Sequence, residues 1–251
     1  MKVKLLSAWY GPRPAWWDRY VAQMQRFALV DWECLPPAHV PIKQQIAWMN
    51  AVMSNALELE CCKGTNYGEA RQWDGVQALC DYRPCYGEVF AERYADYDWW
   101  GWADLDLCFG DLDGLLPTLL TDDVDCVNFK TECLSGCLAM FRNNEATRGL
   151  FRTGARWQEI MTDPRYHCWD ESGYYHYGPE ESFWTLVKAG LPVRQAHHLY
   201  GYDTKREPNP VELRDGKLWE LSTGRELAFC HFMNDRWPLR DDGSSRYGGR
   251  R

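Results

Sequence analysis

The sequence predicts an α/β fold, in which a mainly parallel β-sheet is flanked by helices and a small β-hairpin extension comes late in the chain. Short apolar runs typical of strands alternate with longer segments whose apolar residues recur at helical spacing. Loops rich in Gly and Pro, such as "YGPRP", separate them. The 251 residues are enough for one large domain. We therefore expect a single domain over residues 1–240 and a flexible tail over residues 241–251.

The first half of the sequence predicts a strand, a helix, a second strand and a second helix, in that order. Residues 3–9 predict the first strand, and "AWWDRYVAQMQRFALV" after the loop places apolar residues on one helical face. Residues 31–35 predict a second strand, and residues 42–59 predict a long helix. A third helix, predicted over residues 81–94, begins at an Asp cap with Pro in its first turn and leads into the Trp-rich strand "DWWGW".

The second half continues this alternation and ends in a hairpin. The predicted elements are a helix near 115–120, strands at 124–128 and 137–142, and helices over 144–151 and 155–161. The segment "PEESFWTLVKAG" predicts a further helix that stops at its Gly. The segment "KLWELSTGRELAFCHF" predicts a β-hairpin around "STG".

Composition limits the classes of protein to which the chain can belong. The net charge of −8 argues against broad, non-specific binding of nucleic acid. The eleven cysteines are scattered and form no C-x-x-C pair, which favours free thiols in a reducing cytoplasm over disulfides or a structural zinc site. No apolar run approaches the roughly 20 residues of a membrane helix, and the N-terminus predicts a strand, not a signal peptide. We expect a cytoplasmic protein, in the host cytoplasm if the gene is viral.

Aspartates follow the Trp-rich strand and need a positive partner if they are buried. In an open parallel sheet, ligands bind at the carboxyl ends of strands, where Asp104 and Asp106 lie. Alternate residues of an extended chain point the same way, so both acids can face one site while Leu105 packs behind them. Carboxylate oxygens suit Mg²⁺ or Mn²⁺. A D-x-D tripeptide is also common without a metal, and Asp111 or Asp113 can cap the next helix.

Four segments together resemble one family. "CDYRPCYGEVF" and "YADYDWWGWADLDLCFGDL", followed by "SGCLAMFRNNE" and "FCHFMNDRW", are similar to the motifs of an uncharacterised bacterial and viral family of GT-A-like glycosyltransferases, most closely over residues 80–112. The resemblance implies a Rossmann-type, GT-A-like fold with a nucleotide-sugar half at 1–113 and an acceptor half at 114–240. It also implies that Asp104 and Asp106 bind Mn²⁺ or Mg²⁺. A late histidine, His231, would complete the metal shell, although a lone histidine is more often structural.

By this resemblance, the chain moves a sugar from a nucleotide-diphosphate sugar, such as a UDP-sugar, to a hydroxyl acceptor. A divalent ion would neutralise the charge of the leaving diphosphate. The acceptor is an envelope glycan or glycolipid or, if the gene is viral, a hydroxymethylated pyrimidine in DNA. Aromatic residues that could stack on an acceptor are Trp169, Tyr174, Tyr175, His176 and Tyr177. Arginines that could form a basic rim for DNA are Arg142, Arg148, Arg152, Arg156 and Arg165.

The resemblance also assigns donor contacts along the chain. Each has a structural alternative: Trp9 can belong to the core, Asp81 can cap a helix, Arg83 can form a surface ion pair, and Gly136 can be a simple turn. The family's Lys or Arg residues after H-F are replaced here by "MNDRW", which leaves Arg236 as the phosphate contact. The expected donor contacts are Ala8, Trp9, Tyr10, Asp81, Arg83, Asp104, Gly136 and Arg236.

An inverting transferase also needs a carboxylate that deprotonates the acceptor hydroxyl. In this fold the base commonly begins a helix, which favours Glu181 first and then Asp170, with Glu180 as a third choice. Glu171 stands beside Asp170 in "WDESG". The Glu pair can instead stabilise a helix dipole, and a retaining mechanism needs no such base.

Two other classes of function fit the same residues. A non-catalytic module would hold a sugar nucleotide or glycan without turnover, and it would tolerate loss of both Asp104 and Asp106. A metal-dependent nucleotidyltransferase would release pyrophosphate in place of a nucleoside diphosphate.

Overall fold

The computed structural model describes residues 1–36, 40–60, 76–173, 178–203, 209–232 and 237–246. Its strands in chain order are β1 (Val3–Ala8), β2 (Val30–Leu35), β3 (Trp99–Ala103), β4 (Leu107–Phe109), β5 (Cys126–Asn128), β6 (Leu138–Arg142), β7 (Val193–Gln195), β8 (Tyr200–Asp203), β9 (Val211–Arg214), β10 (Lys217–Glu220), β11 (Arg225–Leu227) and β12 (Phe229–Phe232). Its α-helices are α1 (Trp17–Met24), α2 (Ile42–Leu57), α3 (Tyr86–Val89), α4 (Ala91–Tyr94), α5 (Leu112–Leu119), α6 (Glu145–Arg148), α7 (Trp157–Thr162) and α8 (Phe183–Gly190).

A six-stranded sheet forms the centre, in the order β2-β1-β3-β6-β5-β7. Five of its strands run the same way, and β6 runs antiparallel to its neighbours β3 and β5. The predicted α/β class with a mainly parallel sheet flanked by helices is therefore confirmed. The carboxyl ends of β1, β3 and β5 lie along one edge of this sheet, because parallel strands end on the same side.

The central strand β3 explains why its sequence is so rich in Trp. Trp100 and Trp102 lie on one face, in a cluster with Tyr86 and Phe141, whereas Trp99 lies on the other face. All three indoles are buried. A strand covered by helices on both faces is apolar at every position, and the alternation of the side chains divides its residues between two cores.

The structure also contains two smaller, three-stranded sheets. The order β4-β12-β8 places the strand that carries His231 beside the strand that follows Asp106. The order β11-β10-β9 contains the predicted hairpin, with "STG" in the turn between β10 and β11. The hairpin prediction is confirmed.

One predicted helix has a different form in the structure. Residues 81–94 do not make a continuous α-helix: the chain forms a 3₁₀ helix over Ala78–Cys85, followed by the short helices α3 and α4. Pro84 lies inside the 3₁₀ segment, where its missing N–H and its ring oppose a regular α-helix. The break matters for the site, because it presents Asp81 and Arg83 from a tight turn.

The first residues of the predicted tail make contacts with the rest of the chain. Asp241 pairs with Arg19 of α1, and the backbone N–H of Arg246 donates to the carbonyl of Pro238. Residues 241–246 are thus bonded to the domain, because α1 offers a partner that the tail composition does not reveal; residues 247–251 lie outside the described residues.

Within the described part of the chain, none of the helices is both long and apolar enough to span a bilayer.

Candidate metal and donor site

The candidate site lies at the carboxyl edge of the central sheet, just beyond β3. Asp104 is the first residue after that strand, and its backbone N–H donates to the carbonyl of Cys137 at 2.8 Å. Leu105 is buried, and its carbonyl accepts a hydrogen bond from the Trp16 indole at 2.7 Å. Leu105 therefore anchors the short turn that carries Asp104 and Asp106.

Three potential metal ligands meet at this turn. One carboxylate oxygen from each of Asp104 and Asp106 and one ring nitrogen of His231 all lie within 4.8 Å of one another. The Nε2 atom of His231 is 3.2 Å from Oδ2 of Asp106. Two carboxylate oxygens and an imidazole suit Mn²⁺ or Mg²⁺ and leave positions for phosphate and water. The residues present therefore fit a divalent cation.

A buried arginine stands behind this cluster. The side chain of Arg83, with the residue only 8% exposed, donates to a carboxylate oxygen of Asp104, to Oδ2 of Asp170 at 2.9 Å and to the carbonyl oxygen of Gly136 at 2.6 Å. Burial opposes the charge of the guanidinium, but the carboxylates of Asp104 and Asp170 outweigh it and raise the pKa of Arg83 well above its ordinary value. Arg83 is therefore a permanent cation built into the site.

Asp104 lies in an unusual electrostatic environment. Burial raises the pKa of its carboxyl to about 6, although the Arg83 guanidinium opposes the shift and the Asp106 carboxylate adds to it. A carboxylate whose charge is disfavoured in this way gains more from a nearby cation than an exposed one does. The raised pKa of Asp104 and the arrangement of the three potential ligands thus both indicate that a bound cation would stabilise this site.

Asp170 does not have the accessibility expected of a catalytic base. Its residue is 0% exposed, and its Oδ2 accepts from Arg83. Burial raises the pKa of Asp170 well above its usual value, with Arg83 opposing the shift. The structure therefore places Asp170 as a buried counter-charge that holds Arg83. The sequence could not show this, because the pairing joins residues 87 positions apart.

Asp81 is also enclosed by the protein. Its carboxylate is fully buried and accepts from the backbone N–H groups of His167 at 2.9 Å and Trp169 at 2.8 Å. It therefore clamps the segment that leads into Asp170 and Glu171. A base, ribose or diphosphate contact, as the resemblance implied, does not fit a carboxylate enclosed by backbone donors.

Gly136 lies between Arg83 and the carboxylate of Glu171, which the sequence placed beside Asp170 without ranking it as the base. A Cβ atom at Gly136 would stand 2.1 Å from Oε1 of Glu171, so glycine is required for this close approach. The other carboxylate oxygen of Glu171 is 3.1 Å from Nζ of Lys130, which follows β5. Asn128 at the end of β5 shapes this loop by donating to the carbonyls of Lys130 and Cys133. Sequence reasoning missed Lys130, although its place after a strand end was a usable signal.

The two glutamates expected to supply the base precede α8. They lie in the 3₁₀ turn Pro179–Glu181, and Ser182 caps α8 by accepting from the backbone N–H of Thr185. The carbonyl of Glu181 accepts from the Trp169 indole at 2.7 Å, and Glu180 is exposed. The structure pairs neither carboxylate with the described residues around Asp104.

The first loop and the 3₁₀ turn enclose a small cavity of about 190 Å³. Its lining consists of Ala8, Tyr10, Val76, Gln77, Leu79, Cys80, Arg83 and Tyr86. Arg83 therefore links this cavity to Asp104. A larger cavity of about 580 Å³ lies at the opposite edge of the sheet, beside Lys2 and Val30, and contains none of the predicted site residues.

Two further residues predicted to contact a ligand, Trp9 and Trp169, pack against other parts of the protein. The Trp9 indole donates to the carbonyl of Pro12 at 2.8 Å, and Trp9 packs against a core cluster. Its ring therefore stabilises the conformation of the first loop. Trp169 is buried against Phe183. Arg236 and residues 174–177 lie outside the described residues.

The arginines considered as a basic rim are partnered in the structure. Arg142 pairs with Asp125, Arg152 with Glu88, Arg156 with Glu159 and Arg165 with Asp163, whereas Arg148 donates to the side-chain oxygen of Asn143. Four of these five guanidinium groups are thus neutralised by an acid, which weakens their use as phosphate contacts.

Comparison with known proteins gives a family and, among solved structures, a distant likeness. Residues 5–235 match the model of a family described as "Family of unknown function (DUF6625)". A crystal structure of a glycosyltransferase involved in the glycosylation of the major capsid of PBCV-1 is similar with a TM-score of 0.43 and 10% sequence identity, covering 93% of each chain. Among curated proteins, none matches the chain.

Proposed function

The chain belongs to the DUF6625 family of unknown function, and we propose that it is a metal-dependent glycosyltransferase that moves a sugar from a nucleotide-diphosphate sugar to a hydroxyl acceptor. The observation that carries this proposal is the meeting of Asp104, Asp106 and His231 within 4.8 Å at the carboxyl edge of the sheet. This donor set would hold Mn²⁺ or Mg²⁺. The ion would supply the charge that stabilises the leaving diphosphate.

The charges around the metal ligands support an anionic substrate held through a cation. Four carboxylates, those of Asp104, Asp106, Asp170 and Glu171, surround the fixed cations of Arg83 and Lys130. The four carboxyl groups outnumber these cations even when His231 is also protonated. A diphosphate could not approach such a group unless a divalent cation were bound first.

The cavity beside Arg83 supports a place for the nucleoside. It begins at the end of β1 with Ala8 and Tyr10 and reaches Arg83, whose guanidinium bonds Asp104. A volume of about 190 Å³ suits one small ring system better than a whole nucleotide sugar. We therefore assign the base to this cavity and favour a pyrimidine nucleotide such as a UDP-sugar.

Glu171 is the best-placed carboxylate for the acceptor hydroxyl. Its side chain is 26% exposed, lies against Gly136 and is held by Lys130. It also lies near the metal ligands, because the carbonyl of Gly136 accepts from the Arg83 guanidinium that bonds Asp104. Glu171 would accept the proton of the attacking hydroxyl, and Lys130 would orient it. Glu181 remains the second choice.

A thermal-shift panel tests the proposal. UDP-, GDP-, CDP- and dTDP-sugars are each added with and without Mn²⁺, and any released nucleoside diphosphate is measured. Stabilisation by one nucleotide family that needs Mn²⁺, with release of the nucleoside diphosphate, supports the proposal. Pyrophosphate release would instead indicate a nucleotidyltransferase, and binding without turnover would indicate a binding module. If no nucleotide sugar shifts the wild-type melting temperature, the donor site is wrong.

A further inference from the structure

An exposed aromatic ring stands beside the metal ligands. Within the described ranges, the large hydrophobic side chains that are strongly exposed are Met1, Tyr202 and Leu221, each in a residue 42% exposed. Met1 is the chain terminus, and Leu221 lies in the turn between β10 and β11. Tyr202 differs from both, because it lies within β8 of the small sheet that carries His231.

The small sheet places Tyr202 next to His231. The two residues are register partners in the parallel pair β8–β12, and their ring centroids are 6.0 Å apart at an interplanar angle of 67°. On its other side His231 meets the Asp106 carboxylate at 3.2 Å. Tyr202 thus borders the metal cluster on the side opposite Asp106, and its exposed ring can contact a ligand there.

A second aromatic ring, that of Tyr200, lies beside Tyr202, with 6.1 Å between the two ring centroids. Glu171 reaches the same cluster by another route. It lies against Gly136, whose carbonyl accepts from the Arg83 guanidinium that bonds Asp104. An exposed aromatic face and the Lys130–Glu171 ion pair therefore border the same metal cluster.

We propose that Tyr202 is the stacking platform of the acceptor subsite and that the acceptor is a carbohydrate ring, with its hydroxyl edge directed to Glu171 and Lys130. This inference rests on the proposed glycosyltransferase function. A sugar ring has apolar C–H faces and hydroxyl edges, so one aromatic face and one charged pair satisfy both parts of it.

Two other acceptors fit these observations less well. A base in DNA needs phosphate contacts around it, yet Arg142, Arg152, Arg156 and Arg165 are already paired with acids. A lipid acceptor needs a contiguous apolar patch, whereas Met1, Tyr202 and Leu221 lie on separate elements of the described structure.

The test uses simple acceptors and matched variants. The full-length protein is given the nucleotide sugar and Mn²⁺ selected in the thermal-shift panel, together with methyl glycosides of glucose, galactose, mannose and N-acetylglucosamine. Parallel reactions contain an oligonucleotide with hydroxymethylcytosine or a polyprenyl phosphate in detergent. Tyr202→Ala and Tyr202→Phe are compared with Leu221→Ala, a residue of equal exposure in a distant turn.

We expect transfer to at least one methyl glycoside. Tyr202→Ala should raise the KM for that acceptor about 10-fold, and Tyr202→Phe should stay within about twofold of the wild type, because phenylalanine keeps the ring face. Leu221→Ala should leave the KM unchanged. Folding of each variant is checked by its melting temperature.

Three results would contradict the proposed role of Tyr202 in binding the acceptor. These are an unchanged acceptor KM in Tyr202→Ala, a rise confined to the donor KM, and transfer to the oligonucleotide or polyprenyl phosphate but to no methyl glycoside. Absence of Mn²⁺-dependent nucleoside diphosphate release from the wild type is a separate result, because it removes the proposed function itself.

Discussion

The guanidinium of Arg83 donates to the carboxylate of Asp104, the first acid of the D-x-D turn. Asp170 and the carbonyl oxygen of Gly136 hold the same guanidinium from behind. The buried acid therefore already has one positive partner from within the chain. Asp106 pairs instead with the imidazole of His231, and the proposed divalent cation would be held by both acids together with this imidazole.

Removing a metal ligand should abolish stabilisation by Mn²⁺. Asp104→Asn and Asp106→Asn each remove a charged oxygen ligand, so the increase in melting temperature with Mn²⁺ and nucleotide should be lost and turnover should fall at least about 100-fold. Asp122→Asn, which makes the same change at a fully exposed site, is the control. An undiminished Mn²⁺ shift in both ligand variants would rule out this metal site.

Loss of the buried arginine should destabilise the fold. Arg83→Met leaves Asp170 buried without its cation, which should lower the free energy of unfolding by about 3–5 kcal/mol in urea denaturation. Arg152→Met breaks the more exposed pair with Glu88 and should cost about 0–1 kcal/mol. Equal costs for the two variants would contradict the buried role of Arg83.

Replacing Glu171 should separate catalysis from folding. Glu171→Gln keeps the side-chain shape but removes the proton acceptor, so kcat should fall about 10²- to 10⁴-fold while the melting temperature changes little. Glu181→Gln is measured in parallel. A larger loss of kcat in Glu181→Gln would assign the base to Glu181, as the sequence alone favoured.

A methyl group at Gly136 should act through Glu171. In Gly136→Ala the new Cβ would stand 2.1 Å from Oε1 of Glu171, so the carboxylate must move. We expect kcat to fall with a smaller effect on stability, because the clash involves the end of a side chain. Combining Gly136→Ala with Glu171→Gln should cost little more than Glu171→Gln alone. Additive losses in that double variant would show that the two residues act independently.

The segment before Asp170 should lose stability in acid. The side chain of Arg165, aided by its backbone N–H and by His167, lowers the pKa of Asp163 to about 2 although partial burial opposes the shift. Because this pKa is below that of the unfolded chain, the stabilisation is present above about pH 4 and is lost as the pH falls through 2. Asp163→Asn should therefore lower the melting temperature at pH 6. The difference from the wild type should shrink towards pH 2, and a constant difference would contradict the ion pair.

Local sequence patterns were sufficient for the central fold. Alternating apolar runs predicted the strands β1 and β2, and the Trp-rich run "DWWGW" predicted the strand β3. The broken helix at residues 81–94 was missed, because the periodicity of its apolar residues continues through Pro84 although the hydrogen bonding does not.

The sequence by itself determined the α/β class, the hairpin and the position of Asp104 and Asp106 after a buried strand, because these depend on neighbours within a few residues. Tertiary structure alone decided which charges meet: it set Asp81 and Asp170 inside the protein, brought His231 to Asp106 and placed Glu171 on Gly136. Such contacts join distant parts of the chain. A carboxylate's role depends on its burial and on the charge it faces, and neither is encoded in the residues beside it.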